Sequence, residues 1–313
     1  MKYLLTLLLF FLLLPVNLHL VPGSNFCFAK EKQIDPDTLD TLRVVLVPEK
    51  NVFEQRKRYQ YITDYLSEKM GLNFTVEIMS NYGNISEIFV EGEADAGFFG
   101  SFSYVLTHAK AGIEPIARPV WPHNNSTYRG YIFVRKDSNI NSVEDMKNRS
   151  LVLVDKATTA GYIYPLYYFQ YSGINNMEDY FSRIYYSNSH DAAAWAVYTG
   201  EADIGCAKDT IYKSLLEEHP DFKKQMLVLT ESPEVPSNGL AVRKDLHPAI
   251  KLLIKTLLLS MHESPEGRKV LEDFGAIRFI ETNNEDYRVL NDMVKQLGIN
   301  LDTYSYKNKS LLE

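Results

Sequence analysis

The amino-acid sequence predicts an α/β protein of two similar lobes, each built on a mostly parallel sheet, with a cleft between them. Three observations lead there. The tetrapeptide GEAD occurs twice, at 92–95 and 200–203, each time after a helix-like run and before a short apolar stretch containing glycine. Short β-branched runs alternate with runs of helical periodicity, the pattern of strand–helix–strand units. Two turn-rich stretches, PVWPHNNSTYRG (119–130) and TESPEVPSNG (230–239), mark places where the chain crosses between lobes. The expected layout is lobe one from 40–122 with 240–313, lobe two from 128–232, and crossings at 123–127 and 233–239.

The first 29 residues stand outside this layout. Lys2, an apolar run at 4–14 and Pro15 read as a secretory signal, because so short a run cannot span hydrocarbon. The expected cut follows Ala29, which leaves Cys206 as the sole cysteine and forbids an internal disulfide. The competing reading makes Cys27 a lipid-anchored first residue; Phe26 stands where such signals carry a small residue, which favours export without a lipid.

The elements then follow in order. LRVVLVP (42–48) has the pattern of a buried strand. The helix at 56–71 repeats apolar residues at Tyr59, Ile62, Tyr65, Leu66 and Met70, and stops at Gly71. FTVEIMS is a strand, and ISEIFVEGEADAGFF is a helix, a turn at Gly92 and a strand. The second series begins with the strand YIFVRKDS. A short helix SVEDMKN follows, with Ser142 as cap and Asp145 three residues on. SLVLVD is a buried strand, and a helix runs from Thr158 to Gly173. SRIYYSN, HDAAAWAVYTG and EADIGCA complete strand, helix, turn and strand. AIKLLIKTLLLSMHES and EDYRVLNDMVKQLG are helical and pack on lobe one.

Composition narrows the function. With 313 residues, 45% apolar and 23% charged, the chain is long enough for two cores. The net charge of -7 argues against nucleic acid as a partner. No metal is expected, since H-E-x-x-H and Cys/His clusters are missing. No cofactor is expected either. G-x-S-x-G and G-x-x-x-x-G-K-[ST] do not occur.

The cleft itself has a candidate floor. In DKATTAGYIYP (155–165) a strand ends at Asp155 and a helix begins near Thr158. Its free N–H groups and partial positive charge suit an anion. Thr158 and Thr159 add hydroxyls, and Gly161 lets backbone come close. An ordinary N-cap accounts for one of the threonines, though not for both and the glycine. His190, in SNSHDAAA, opens the next helix, again at the end of a strand, where open α/β sheets hold ligands. A histidine there also serves as a plain cap or surface residue. Were its imidazolium the working form, ligand grip would fall at high pH.

Taken in order, NYGNISEIFVEGEADAGFFGSFSYV, YRGYIFVRKDSNINSVEDMKN, TTAGYIYP and SHDAAAWAVYTGEADIG resemble the substrate-binding proteins of phosphate/phosphite/phosphonate ABC transporters, over about 44–242. The resemblance implies the type II periplasmic-binding-protein fold and a small phosphorus oxyanion as ligand: phosphite, phosphate or a short alkyl phosphonate. It implies delivery to a membrane permease by a monomer. The family's Ser-Thr-Ser-Gly motif falls on Thr158, Thr159, Ala160 and Gly161, with a hydroxyl lost at Ala160. Its histidine falls on His190 and its two contacting tyrosines on Tyr82 and Tyr128. Ser101 replaces the proline of a Gly-Pro-x-Ser-Tyr loop. Where aminoalkyl-phosphonate binders carry carboxylates, this chain has Thr210 and Asn238, with Asp209 adjacent; this disfavours a ligand with an ammonium tail. The grip expected is one of neutral donors, without a cationic clamp, and Arg129 reads as solvated. Two other classes stay open: the ligand-sensing partner of a membrane histidine kinase, and an enzyme on the same fold.

Overall fold

The computed structural model describes residues 40–49 and 51–306; the signal segment and Cys27 lie outside the described residues. The chain opens with β1 (Thr41–Leu46), α1 (Val52–Met70), β2 (Asn73–Ile78), α2 (Asn84–Val90), β3 (Ala96–Phe99), α3 (Ser101–Ala111) and β4 (Glu114–Val120). It continues through β5 (Thr127–Tyr128), β6 (Gly130–Arg135), β7 (Ser150–Leu153), α4 (Tyr164–Tyr171), α5 (Met177–Tyr180), β8 (Arg183–Tyr186), α6 (His190–Tyr198) and β9 (Ile204–Lys208). Then come α7 (Asp209–Glu218), α8 (Pro220–Gln225), β10 (Met226–Glu231), β11 (Val235–Pro236) and β12 (Gly239–Val242). It closes with α9 (Pro248–Ser260), α10 (Pro265–Phe274), β13 (Arg278–Glu281) and α11 (Arg288–Gln296).

Eleven of these strands form two separate sheets, one in each lobe. The first has six strands in the order β13-β4-β12-β3-β1-β2, and the second five in the order β10-β6-β9-β7-β8. The centres β2-β1-β3 and β8-β7-β9 are parallel and follow the same strand order. The expectation of mostly parallel sheets needs correction. β12, β4 and β13 add antiparallel pairs to the first sheet, as β6 and β10 do to the second. The reason lies in the crossings. β6 and β12 are the strands by which the chain enters a lobe from the other, and both run against the parallel set. Beside them β5 pairs antiparallel with β11, so that both crossings share a short ribbon.

The central strands are buried on both faces, as parallel strands under helices must be. Leu42, Val44, Val45 and Leu46 of β1 are at most 2% exposed. The helices start and stop on local chemistry. The Asn51 side chain accepts the N–H groups of Phe53 and Glu54, and Gly71 ends α1 at φ 66.

The repeated GEAD has a structural cause. Each glycine is left-handed, Gly92 at φ 72 and Gly200 at φ 82, and turns the chain from helix to strand. Each aspartate then clamps the start of the neighbouring parallel strand. The Arg43 N–H donates to Asp95 Oδ2 at 2.8 Å, and the Ser150 N–H donates to Asp203 Oδ2 at 2.8 Å. The motif thus registers β3 on β1 and β9 on β7.

One local expectation fails, and one expected helix has an unusual first turn. SVEDMKN makes only a 3-10 turn, Glu144–Met146, because Asp145 turns back to accept the N–H groups of Asn141 and Ser142. The helix at Thr158 begins as a π-turn, Thr159–Ile163, before α4.

Candidate functional site

Ligand sites of open α/β sheets lie beyond the carboxyl ends of the parallel strands. Here those ends meet across the cleft. A narrow cavity of about 10 Å³ is lined from lobe one by Glu49 after β1, Tyr82 after β2, Gly100 after β3 and Ser103 in the first turn of α3. From the other side come Ala157, Thr158, Thr159 and Ala160 after β7, His190 after β8 and Lys208 closing β9. Tyr128, ending β5, and Asn238, from the second crossing, complete the wall.

Of the residues singled out in the sequence, Tyr82, Tyr128, Thr158, Thr159, Ala160, His190 and Asn238 come together at this cavity. Gly161 and Ser101 do not line it. A Cβ on Gly161 would lie 2.4 Å from Val154 Cβ and 2.7 Å from Thr158 Oγ1. The glycine therefore lets the turn pack on the end of β7. Ser101 donates its hydroxyl to the Pro236 carbonyl at 2.7 Å and ties α3 to the crossing. Arg129 turns outward to the Ser232 carbonyl and Glu234. Asp209 is buried, accepting the Arg129 N–H and the Lys213 ammonium.

The cavity wall is rich in donors. Two helical N-termini face it from opposite lobes: α3 after Gly100 and the π-turn after Thr158. Neither is capped by the side chain of its own N-cap residue. The Phe102 N–H donates across the cleft to Thr159 Oγ1 at 2.9 Å, so the Thr159 proton remains available. Thr158 spends its hydroxyl proton on the Asp155 carbonyl at 2.6 Å. The Tyr82 hydroxyl is buried at the cavity with no hydrogen-bond partner among the described residues. Burial, and then the charge of Glu49, pushes its pKa well above the ordinary value, so it stays protonated and able to donate.

His190 is neutral. Its Nδ1 accepts the Lys208 N–H at 3.2 Å, which leaves the proton on Nε2. Burial lowers its pKa to about 4; Glu49 and Asp191 act the other way and Lys208 with it. The working form in this structure is therefore the neutral imidazole, not the imidazolium considered above. An unfolded histidine titrates near 6.5, so stability from the neutral ring is complete above that pH and is lost as pH falls toward 4. Between pH 7 and 4.5 the wild-type melting temperature should fall more steeply than that of His190→Asn, which keeps an acceptor but does not titrate. Equal slopes would show that the folded histidine takes up its proton normally.

The charged pair at the cavity was not foreseen. Lys208 Nζ lies 2.8 Å from Glu49 Oε1, with the side chains 8% and 15% exposed. The same ammonium donates to Asn238 Oδ1 at 3.1 Å and sits 4.5 Å from the centre of the Tyr128 ring. Burial alone would raise the Glu49 carboxyl, but the adjacent lysine outweighs it and holds the pKa below its usual value. Gln55 fixes the loop: its side chain donates to the Val47 carbonyl at 2.7 Å and accepts the Glu49 N–H at 3.1 Å. Lys208 ends a fully buried strand, and that position was the available signal. Glu49 likewise follows a buried strand, but its partner is 159 residues away.

Among the described residues no group of His, Cys, Asp or Glu is placed to hold a metal, and no helix is long and apolar enough to cross a membrane. The family model for periplasmic substrate-binding proteins of phosphonate ABC transporters matches residues 44–287. The phosphate-import protein PhnD of Mycolicibacterium smegmatis is 24% identical over 70% of this chain and 71% of its own length. A probable phosphite-binding ABC transporter protein, PhnD1 of Prochlorococcus marinus, is 21% identical over 82% and 90%. The solved structure of Prochlorococcus marinus PhnD1 with methylphosphonate superposes with a TM-score of 0.73, at 20% identity, over 83% of this chain and 98% of that one. A binding-protein component of a phosphonate transporter from Pseudomonas aeruginosa gives 0.75, at 20% identity, over 83% and 87%. The match over most of the chain, together with the two-lobe fold, shows that the chain belongs to the periplasmic substrate-binding proteins of phosphonate ABC transporters.

Proposed function

We propose that this protein captures a small phosphorus oxyanion without a positive tail (phosphite, phosphate or a short alkyl phosphonate) and, as an exported monomer, presents it to an ABC permease. The observation that carries the reading is the Tyr82 hydroxyl, buried, protonated and unpartnered among the described residues at the wall of the cavity. A buried polar group is normally satisfied, and a ligand oxygen would satisfy this one. The N-terminus of the π-turn, the Thr159 hydroxyl and His190 Nε2–H supply further donors. The two carboxylates beside Thr210 and Asn238 are already engaged: Asp209 serves Arg129 and Lys213, and Glu49 serves Lys208. As part of the same reading, lobe one comprises 40–122 with 240–313 and lobe two 128–232. The crossings at 123–127 and 233–239 act as the hinge, supported by the separate sheets and the β5–β11 ribbon.

Calorimetry against phosphate, phosphite, methylphosphonate, 2-aminoethylphosphonate and sulfate tests the proposal. Phosphite or methylphosphonate should bind at least ~10-fold (~1.4 kcal/mol) tighter than 2-aminoethylphosphonate. Tyr82→Phe should weaken the best ligand by roughly 1–3 kcal/mol. Tightest binding of the amino compound, or an unchanged affinity in Tyr82→Phe, would refute it.

A further inference from the structure

We propose that Lys208 acts as an internal ammonium: its Nζ fills a cation cage made by Glu49, Asn238 and the Tyr128 ring, and so determines that the cavity rejects phosphonates bearing a positively charged tail. The inference rests on the reading of the cavity as an oxyanion site and names the residue that sets its selectivity.

The cage has the chemistry of an ammonium receptor. It offers a carboxylate at 2.8 Å, an amide oxygen at 3.1 Å and an aromatic face at 4.5 Å. A cation is drawn to all three. The three come from separate stretches: the loop after β1, the second crossing and the end of β5. They converge on one point at the edge of the cavity. Lysine is almost never so fully buried unless paired, and Lys208 is 7% exposed overall.

Position supports the same role. Glu49 and Lys208 line both the small cavity and a wider cleft beyond it, which Thr210, Trp121 and Arg58 also line. The pair therefore forms the partition between the two. An oxyanion held by Tyr82, Thr159 and His190 meets the Lys208 side chain where its own substituent would extend. A neutral methyl group or a hydrogen brings no charge that competes with Lys208 for Glu49. A tail ending in an ammonium would have to displace Lys208 and share one carboxylate with it.

The test removes the lysine and asks what takes its place. Lys208→Ala and Lys208→Asn both vacate the cage, the second leaving a polar amide beside Glu49. Binding of ethylphosphonate and 2-aminoethylphosphonate separates space from charge, because the amino compound adds the ammonium. In wild type the amino compound should bind more weakly than ethylphosphonate. In either folded variant its affinity relative to ethylphosphonate should rise at least ~10-fold. The gain should vanish in Glu49→Gln/Lys208→Ala, where the cage has lost its charge. Melting curves establish which variants fold. The proposal is overturned if wild type already binds the amino compound as tightly as ethylphosphonate, or if the ratio stays at its wild-type value in a folded variant. It is equally overturned if loss of Lys208 weakens phosphite and methylphosphonate with no gain for the amino compound, since Lys208 would then be a direct anion ligand. Binding of none of these anions by wild type would instead remove the oxyanion reading, and this inference with it.

Discussion

Replacing Glu49 by glutamine should open the ligand-free protein. Glu49 follows β1 of the first sheet and Lys208 closes β9 of the second, and their 2.8 Å contact joins the two sides of the cavity. Removing one partner of a buried ion pair leaves the other charge uncompensated, at roughly 3–5 kcal/mol. Here the loss has an escape that a core pair lacks. If the lobes part, Lys208 meets water, and the penalty falls on the closed form rather than on the fold. A shift of even 3 kcal/mol changes a closed-to-open ratio by more than ~100-fold. Small-angle scattering should therefore show a larger radius of gyration for ligand-free Glu49→Gln than for wild type, while the melting temperature changes less than a loss of that size in the core would require. A phosphorus oxyanion supplies negative charge beside Lys208 and should close the variant again. An unchanged radius with a large drop in melting temperature would show that the pair stabilises the fold and not the closed state.

Much of this architecture is legible in the sequence, and the parts that are not share a physical cause. The two lobes were visible because GEAD acts locally: glycine turns the chain and aspartate clamps the next strand, whatever surrounds them. The threonines and His190 were visible because they follow buried strands, and strand ends are where such sheets hold ligands. The direction of β6, β12 and β4 was not. A buried run such as YIFV or GLAV has the same apolar pattern whether it pairs parallel or antiparallel, so the sheets read as more parallel than they are. The packing role of Gly161 was hidden for a similar reason. A glycine beside two threonines suits a ligand loop, and nothing local reveals that Val154 lies against it. The Glu49–Lys208 pair was invisible because each residue alone is an ordinary charge at a strand end, and only the closure of two lobes brings them together. Thr159 lies between these cases: its position could be read, but its bond to Phe102 could not.

That bond makes Thr159→Val the sharpest test of the anion grip. Valine keeps the shape of the side chain and removes its hydroxyl. In the closed form Thr159 is 2% exposed and accepts the Phe102 N–H across the cleft, with its own proton left for the ligand. The substitution therefore strands two groups, the N–H at the start of α3 and one oxygen of the oxyanion. Each unpaired group in a dry site costs about 1–3 kcal/mol, so affinity should fall at least ~30-fold if both are lost. Folding stability should change little, because in the open form both groups face water. Thr159→Ser retains the hydroxyl and should recover most of the affinity, which separates the lost hydrogen bonds from any change in backbone preference. A mere helix cap predicts the reverse: about 1 kcal/mol of lost stability and no change in affinity. Calorimetric titration and thermal unfolding of the same two variants decide between them, and unchanged affinity in Thr159→Val would take this turn out of the binding site.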